Sequence, residues 1–445
     1  MLAMKFGGTS VGTPERVRQA CAIVKTALDR RPLVVVSAAN SAACRSTDTL
    51  IACAKQALAG RVEAERISGP QRALCRGLGV DSALIDPLLE RFERLLRGIA
   101  MIGELSDRVL DHAMSFGECM SALVVTDVLR REFGVDARQA PSFDLGLVTD
   151  ARFGAAQPAL PASYAEMRRK VLALGGEAVV TTGFLGATPE GVVTTLGRGG
   201  SDYSGTLFGA AVGAEEIQIW TDVDGVMTAD PRAAPAATTI PELSFLEASE
   251  LAWYGAKVLH PATVAPAMEH GIPVRVLNTG NPAHPGTLIM RELGDRRTGM
   301  PKSISAREGI DLLTVSTPRM LGVPGFAAKI FGVFGRHQID VHMIATSEVS
   351  ISVTAALGSN LDQVAGELRE LGEVDVRHDH ALVCVVGEGM AGRPGTAAKA
   401  AGALASAGVN IVMMSQGASE INMSFLVESR QAKEAVRALH RAFFE

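Results

Sequence analysis

The sequence predicts an α/β protein: a layered sheet with helices on both faces, followed by two copies of a small α/β sandwich. Short apolar runs of strand length alternate with helical periodicity as far as Leu277. The polar, aperiodic stretch Gly294-Asp295-Arg296-Arg297-Thr298-Gly299 then reads as a linker. Beyond it the chain repeats itself. Gly-Val-Pro-Gly-Phe-Ala-Ala-Lys at 322–329 recurs as Gly-Arg-Pro-Gly-Thr-Ala-Ala-Lys at 392–399, with six of eight positions identical. The expected domains are 1–293, 301–378 and 379–445, the last two free to interleave strands.

Each element has a local reason. Leu2 to Phe6 is an apolar run of strand length, ended by Gly7-Gly8-Thr9-Ser10. From Pro14, the spacing of Val17, Cys21, Val24 and Leu28 predicts a helix. Leu33 to Val36 reads as a strand buried on both faces. Asp48 to about Leu129 is helical, with Pro and Gly breaks; its stripe of Leu88, Phe92, Leu95, Leu96 and Ile99 reads as core packing. Strands follow at Ala178–Thr181, Gly191–Thr195 and Ile217–Trp220. Pro273–Leu277 is the last strand expected in this region, closed by Asn278-Thr279-Gly280. In the repeats Ile339-Asp340-Val341 faces Val409-Asn410-Ile411, Met343 faces Met413, and Ser347-Glu348-Val349 faces Ser419-Glu420-Ile421. Each copy reads strand, tight turn, amphipathic helix, strand, turn, strand.

Composition narrows the function. The 445 residues are 47% hydrophobic and 20% charged, a globular profile. The formal net charge of −5, without blocks of like charge, argues against nucleic acid as a partner. The six cysteines form no Cys-x-x-Cys pair, so neither a disulfide framework nor a metal site is expected. A reducing cytoplasm suits them. No signal peptide is visible, and no apolar stretch approaches the ~18 residues of a membrane span.

Three glycine turns carry candidate chemistry: Lys5-Phe6-Gly7-Gly8-Thr9-Ser10, Gly197-Arg198-Gly199-Gly200-Ser201-Asp202, and Thr221-Asp222-Val223-Asp224-Gly225. Such turns let backbone N–H groups converge on an anion. None is a P-loop or a dinucleotide fingerprint, and a glycine at a strand end is most often only a tight turn. Three of them, with Lys5, Arg198 and Asp202 alongside, supply the positioned cations and donors that phosphoryl transfer needs. Arg198 offers a planar fork for a carboxylate. Glu118 either meets a substrate ammonium or is an exposed helix-start carboxylate. No Ser, Cys or His stands in a nucleophile motif. That fits a kinase whose acceptor is a carboxylate, already ionised at neutral pH and in need of no base.

In these motifs the chain resembles the monofunctional aspartokinases, an amino-acid kinase domain followed by two ACT-type regulatory domains. The matching segments are Lys5–Val11 (KFGGTSV), Ser115–Glu118 (SFGE), Gly197–Asp202, Thr221–Arg232 (TDVDGVMTADPR), Lys257–Pro261 (KVLHP) and Thr346–Ser350 (TSEVS). The resemblance implies transfer of the γ-phosphate of MgATP to the β-carboxylate of L-aspartate. This is the first step toward lysine, threonine and methionine or a related product. Lys5, Gly7 and Gly8 would hold the phosphates and Asp202 would orient Lys5. Arg198 would clamp the α-carboxylate and Glu118 the amino group, with Ser37, Thr47, Gly199, Gly200 and Ser201 completing the substrate site. Thr221, Asp222, Met227, Arg232, Lys257 and Val258 would line the nucleotide site, Met227 replacing an aromatic residue. Also implied are a homodimer or higher homo-oligomer joined through the ACT repeats, a cytoplasmic location, and an amino-acid effector. No fused dehydrogenase is expected after Glu445.

Two departures qualify this. The family runs from Ser-Ala through a short loop to Thr-Asp-x-Leu; here Ser37 and Thr47 stand further apart and the intervening glycine is missing. The extra length reads as an outward bulge, since loop insertions cost little. The alternative is a different acidic amino acid as acceptor. A non-catalytic amino-acid sensor is a third reading, opposed by Lys5, Glu118, Arg198 and Asp202. At the effector site Met320, Phe326, Ser347 and Glu348 fit a lysine-sensing pocket, whereas Val323, Ala327 and His342 depart from it. His342 stands where an acid is expected, so weak inhibition by lysine is anticipated.

Overall fold

The computed structural model describes residues 1–160, 162–254, 261–291, 300–390, 392–417 and 421–445. The expected linker 294–299 lies outside them. The chain divides into two compact units, the first Met1–Val226, Pro241–Phe245 and Val258–Glu292, the second Met227–Ile240, Leu246–Lys257 and Leu293–Glu445. Two stretches within the expected first domain thus group with the C-terminal unit.

In chain order the first part holds β1 (Leu2–Phe6), α1 (Pro14–Lys25), β2 (Pro32–Val36), α2 (Ser46–Leu58), α3 (Glu65–Leu78), α4 (Asp86–Ile102) and α5 (Asp107–Arg131). Then come β3 (Ala137–Gln139), α6 (Ala162–Leu174), β4 (Ala178–Thr182), β5 (Leu185–Ala187), β6 (Val193–Thr195), α7 (Gly200–Val212) and β7 (Glu216–Thr221). The segment ends with β8 (Glu242–Ser244), α8 (Phe245–Trp253), α9 (Pro261–His270), β9 (Val274–Asn278) and β10 (Thr287–Met290). One sheet runs β3-β4-β2-β1-β7-β9-β10-β8, parallel except where β10 meets β9. Its strand β1 lies between β2 and β7.

The period of two along β1 assigns its faces. Leu2, Met4 and Phe6 join a core with residues of α1 and α5. Ala3 and Lys5 turn to α7, where a Cβ on Gly205 would lie 3.0 Å from Lys5 Cβ and one on Gly209 would lie 3.3 Å from Ala3 Cβ. Helices therefore cover both faces, as the alternating pattern predicts. The expectation that the strand at 273–277 is the last of its region is corrected by β10. Thr287–Met290 is a four-residue run behind Pro285-Gly286, too short to show a period, and its pairing with β9 identifies it.

The second unit contains β11 (Ser303–Ser316), α10 (Phe326–Arg336), β12 (Val341–Thr346), β13 (Ser350–Ala356) and α11 (Leu361–Leu368). After these come β14 (Glu373–Val386), α12 (Thr396–Ser406), β15 (Met413–Gln416), β16 (Asn422–Glu428) and α13 (Ala432–Phe444). Its sheet order is β12-β13-β11-β14-β16-β15. The two long strands serve both repeats. Residues 310–316 of β11 pair with β13, and residues 380–386 of β14 pair with β16. The register between β11 and β14 breaks near Gly309 (φ 74°) and Asp379 (φ 62°). Separate cores lie on either side of the break, one around Ile330, Phe334 and Val353, the other around Leu404, Phe425 and Leu439.

Helix α5 meets the strand end of β2 through Gly117, where a Cβ would lie 2.8 Å from Ala38 Cβ. Ala38 has no rotamer with which to yield. Gly117→Val should therefore cost about 1–3 kcal/mol through overpacking and lower the thermal midpoint of the first unit. A melt matching the native chain would mean that the helix has room.

Candidate active site

Parallel strands end on the same side of a sheet, and that side is where open α/β sheets bind ligands. Beyond the ends of β1 and β2 lies a cavity of about 310 Å³. Its wall includes Lys5, Gly8, Ser37, Thr47, Glu118, Gly199, Gly200, Ser201 and Asp202, nine of the residues singled out from sequence.

Lys5 is the penultimate residue of β1 and is buried, so its charge needs a partner. Asp202, in the first turn of α7, supplies it at Nζ–Oδ1 2.5 Å. A Cβ on Gly7 would lie 3.5 Å from Lys5 Nζ, and one on Gly8 only 2.6 Å from the Ala38 carbonyl. Gly7 thus lies beside the ammonium group, and Gly8 allows the close approach of the chain that leaves β2. Gly197 (φ 75°) and Gly199 (φ 71°) are left-handed, as glycine readily is. They turn the chain into α7, whose first N–H groups have no partner within the helix. A cation, a glycine cradle and a helix start suit a phosphate chain.

Glu118 lies inside α5 and is buried, not an exposed residue at a helix start. The Ala38 N–H donates to its Oε1 at 3.2 Å, while Oε2 is buried without a hydrogen-bond partner among the described residues. Burial pushes its carboxyl up to about 8, the bonds from backbone N–H groups opposing this only in part. A carboxyl held in this way, with one oxygen unpartnered, is suited to a ligand cation.

Two other residues of α5 brace the walls. Ser121 Oγ accepts from the Ala39 N–H at 3.0 Å. Buried Asp111 accepts from Thr195 N–H and Oγ1, both at 2.8 Å, and from the Gly154 N–H at 3.0 Å.

The long loop after β2 is closed by its own backbone. Asn40 and Arg45 pair as an antiparallel bridge, and the Ser41 N–H donates to the Cys44 carbonyl at 2.9 Å. Ala42 and Ala43 are exposed at the tip, so the extra length forms a pinched turn directed outward. Ser37 and Thr47 both stay on the cavity wall. Sequence reasoning missed Asn40, Arg45, Ser46, Asp48 and Phe184, which also line it. Phe184 has φ 66°, and its N–H donates to Ser204 Oγ at 2.9 Å. The glycine before it, directly after β4, was the one available signal.

The other expected residues are placed differently. Arg198 is exposed and is not part of the cavity wall. Thr221 ends β7, and its hydroxyl donates to Asp222 Oδ1 at 3.2 Å. Met227 and Arg232 belong to the second unit, where Arg232 pairs with Asp230 at 2.6 Å. Lys257 and Val258 lie outside the described residues.

Among the effector candidates, Val323, Ala327, Ser347 and Glu348 are exposed, Met320 is half-buried and Phe326 is buried at the start of α10. His342 packs edge-on against Trp253, with ring centroids 4.7 Å apart, and Arg307 lies 5.0 Å from the same indole centre. Burial, with Arg307 adding, lowers the imidazole pKa to about 4, so the ring is neutral at physiological pH.

This fold and cavity define a class: a kinase of small amino acids joined to paired ACT sandwiches. Residues 1–278 match the amino acid kinase family, and residues 313–356 and 383–443 match an ACT domain. Aspartokinase 1, chloroplastic, of Arabidopsis thaliana is 38% identical over 462 residues, covering 99% of this chain and 80% of that protein. Lysine-sensitive aspartokinase 3 of Escherichia coli (strain K12) is 36% identical over 464 residues, covering 100% and 99% respectively. The crystal structure of E. coli aspartokinase III in complex with aspartate and ADP superposes with a TM-score of 0.80 at 34% identity, over the full length of both chains. Within the amino acid kinases, the chain belongs to the aspartokinase family.

Glu118 sets a pH dependence with a defined sign. Below about 8 it holds a proton and cannot pair with an acceptor ammonium; above it, it can. The KM for an amino-acid acceptor should fall as pH rises from 6.5 through about 8. In Glu118→Gln that slope should vanish and KM should stay high. A native KM flat across this range would show that Glu118 does not contact the ammonium.

Proposed function

We propose that the chain is an ATP-dependent aspartate kinase that converts L-aspartate to 4-phospho-L-aspartate. The observation that carries this is the close pair of buried Lys5 and part-buried Asp202 at a glycine turn, sharing one cavity with the buried, half-satisfied Glu118.

Lys5 lies where charge on the transferred phosphoryl group must be met. Asp202 holds the ammonium in place without consuming all its donors, since Lys has three. Gly7, Gly8 and the start of α7 leave room and N–H groups for phosphate oxygens. Glu118 takes the acceptor's ammonium, and Arg198, carried between two left-handed glycines, takes its α-carboxylate. Ser37, Thr47 and Ser201 complete the acceptor site. An oxygen of the β-carboxylate forms the new bond to the γ-phosphorus while the bond to the β,γ-bridging oxygen breaks, and ADP leaves. No proton moves, so no residue is required as a base. Thr221, Asp222, Met227, Arg232, Lys257 and Val258 contribute to the nucleotide site. A magnesium ion bound with the triphosphate would neutralise part of its charge.

The pinched 40–45 turn leaves Ser37 and Thr47 on the cavity wall, which favours aspartate over another acidic acceptor. The shared cavity of Lys5, Glu118 and Asp202 speaks against a non-catalytic sensor. No described helix is long and apolar enough to cross a membrane. We place the enzyme in the cytoplasm as a homo-oligomer joined through its ACT sandwiches, which carry an amino-acid effector site. His342 offers that site a neutral, Trp-packed ring in place of an acid, so lysine should bind weakly.

Hydroxamate formation with MgATP, measured across aspartate, glutamate and related acids, tests the activity. Aspartate should be strongly preferred, and preference for another acid would replace this reading. Lys5→Ala should lower kcat by roughly 10²-fold or more, as for loss of a positioned donor at a developing charge, with the fold intact by circular dichroism. Native kcat would refute its role. His342→Asp should strengthen lysine inhibition by roughly ten- to a hundredfold, the worth of one charge-assisted contact. Tight inhibition of the native chain, unchanged in the variant, would show that His342 is no obstacle.

A further inference from the structure

We propose that Arg45 is a second carboxylate anchor of the acceptor site, presented by the pinched turn to the side-chain carboxylate of the bound amino acid. The inference rests on the aspartate kinase reading above and adds a residue to it.

Arg45 lines the cavity and Arg198 does not. The other cation on the described wall, Lys5, is engaged by Asp202. A dicarboxylate entering the cavity therefore finds one guanidinium already at the wall, on the side formed by the loop after β2.

The backbone of Arg45 is fixed. It bridges to Asn40, whose N–H donates to the Gly8 carbonyl at 2.9 Å, and its own carbonyl accepts from the Thr49 N–H at 2.9 Å. Residues 41–44 form the turn between Asn40 and Arg45, so the added length determines how Arg45 enters the wall. Arg45 also occupies the N-cap position of α2, but its side chain makes no capping bond. A guanidinium has no acceptor with which to cap a helix, and its described side-chain partner is Asp48.

The side chain is held only loosely. It pairs with Asp48 Oδ2 at 3.1 Å, and the two side chains are 72% and 63% exposed. Exposed pairs of this spacing contribute little. A ligand carboxylate can replace Asp48 at small cost, one oxygen facing the guanidinium and the other left for the transferred phosphoryl group.

Asparagine tests the assignment, because it differs from aspartate only in lacking the side-chain carboxylate. Kinetics would be measured on the full-length chain, with asparagine as a competitive inhibitor and circular dichroism to verify folding. Arg45→Gln should raise the KM for aspartate roughly tenfold, the effect of one lost charge-assisted contact. The Ki for asparagine and the KM for ATP should stay within about twofold. Asp48→Asn frees the guanidinium and should lower the KM for aspartate, which keeps the test decisive if Arg45→Gln does not fold. Parallel weakening of aspartate and asparagine would assign Arg45 to the α-carboxylate, and a change in the ATP KM alone would assign it to the phosphates. Either result overturns the proposal, as does unchanged aspartate KM in the folded variants. A native chain inert toward aspartate would overturn the functional reading and this inference together. A native chain active on aspartate, with Arg45→Gln unaltered, would overturn the inference alone.

Discussion

Helix α5 must satisfy buried backbone N–H groups of the segments that lead into the cavity, and the geometry of the site depends on that constraint. Glu118 and Ser121 accept from Ala38 and Ala39 on the strand leaving β2, and Asp111 accepts from Thr195 ahead of the turn into α7. Buried N–H groups left without these acceptors would each cost about 1–3 kcal/mol. The three acceptors project from one helix, so the spacing of the segments they hold is tied to its rise per residue. Gly117 lets the helix come close enough for the bonds to form.

The same arrangement gives Glu118 its chemistry. One oxygen is committed to Ala38 and holds the wall; the other is buried and unpartnered. Structural and binding duties are thus divided between two atoms of a single carboxyl group. Burial makes the group reluctant to ionise on its own, and a ligand cation would reverse that preference. Lys5 and Asp202, on the same cavity, form a close pair.

Much of this was legible in the chain. The strands at 2–6 and 33–36 are continuous apolar runs because both their faces are covered, and the repeat at 322–329 and 392–399 announced two sandwiches. Lys5, Glu118 and Asp202 could be named because each stands in a dense local motif. Asp111 and Ser121 could not, since their partners lie 84 and 82 residues away along the chain. The shape of the 40–45 turn was equally hidden: its stretch has neither glycine nor proline, and a backbone bridge leaves no mark on side-chain pattern. Three-residue strands such as β3 and β8 are shorter than any period that could reveal them.

The two fourteen-residue strands of the second unit bear on how its repeat could have arisen. Residues 303–308 of β11 pair with the far half of β14, beside β16, although they precede the whole of the first copy. The second sandwich therefore encloses the first along the chain instead of following it. Two finished modules joined end to end would not show this weave, because each long strand pairs within both sandwiches. Neither half is separable by a single cut, and a gene fragment ending at the first copy would encode a strand whose partners it lacks.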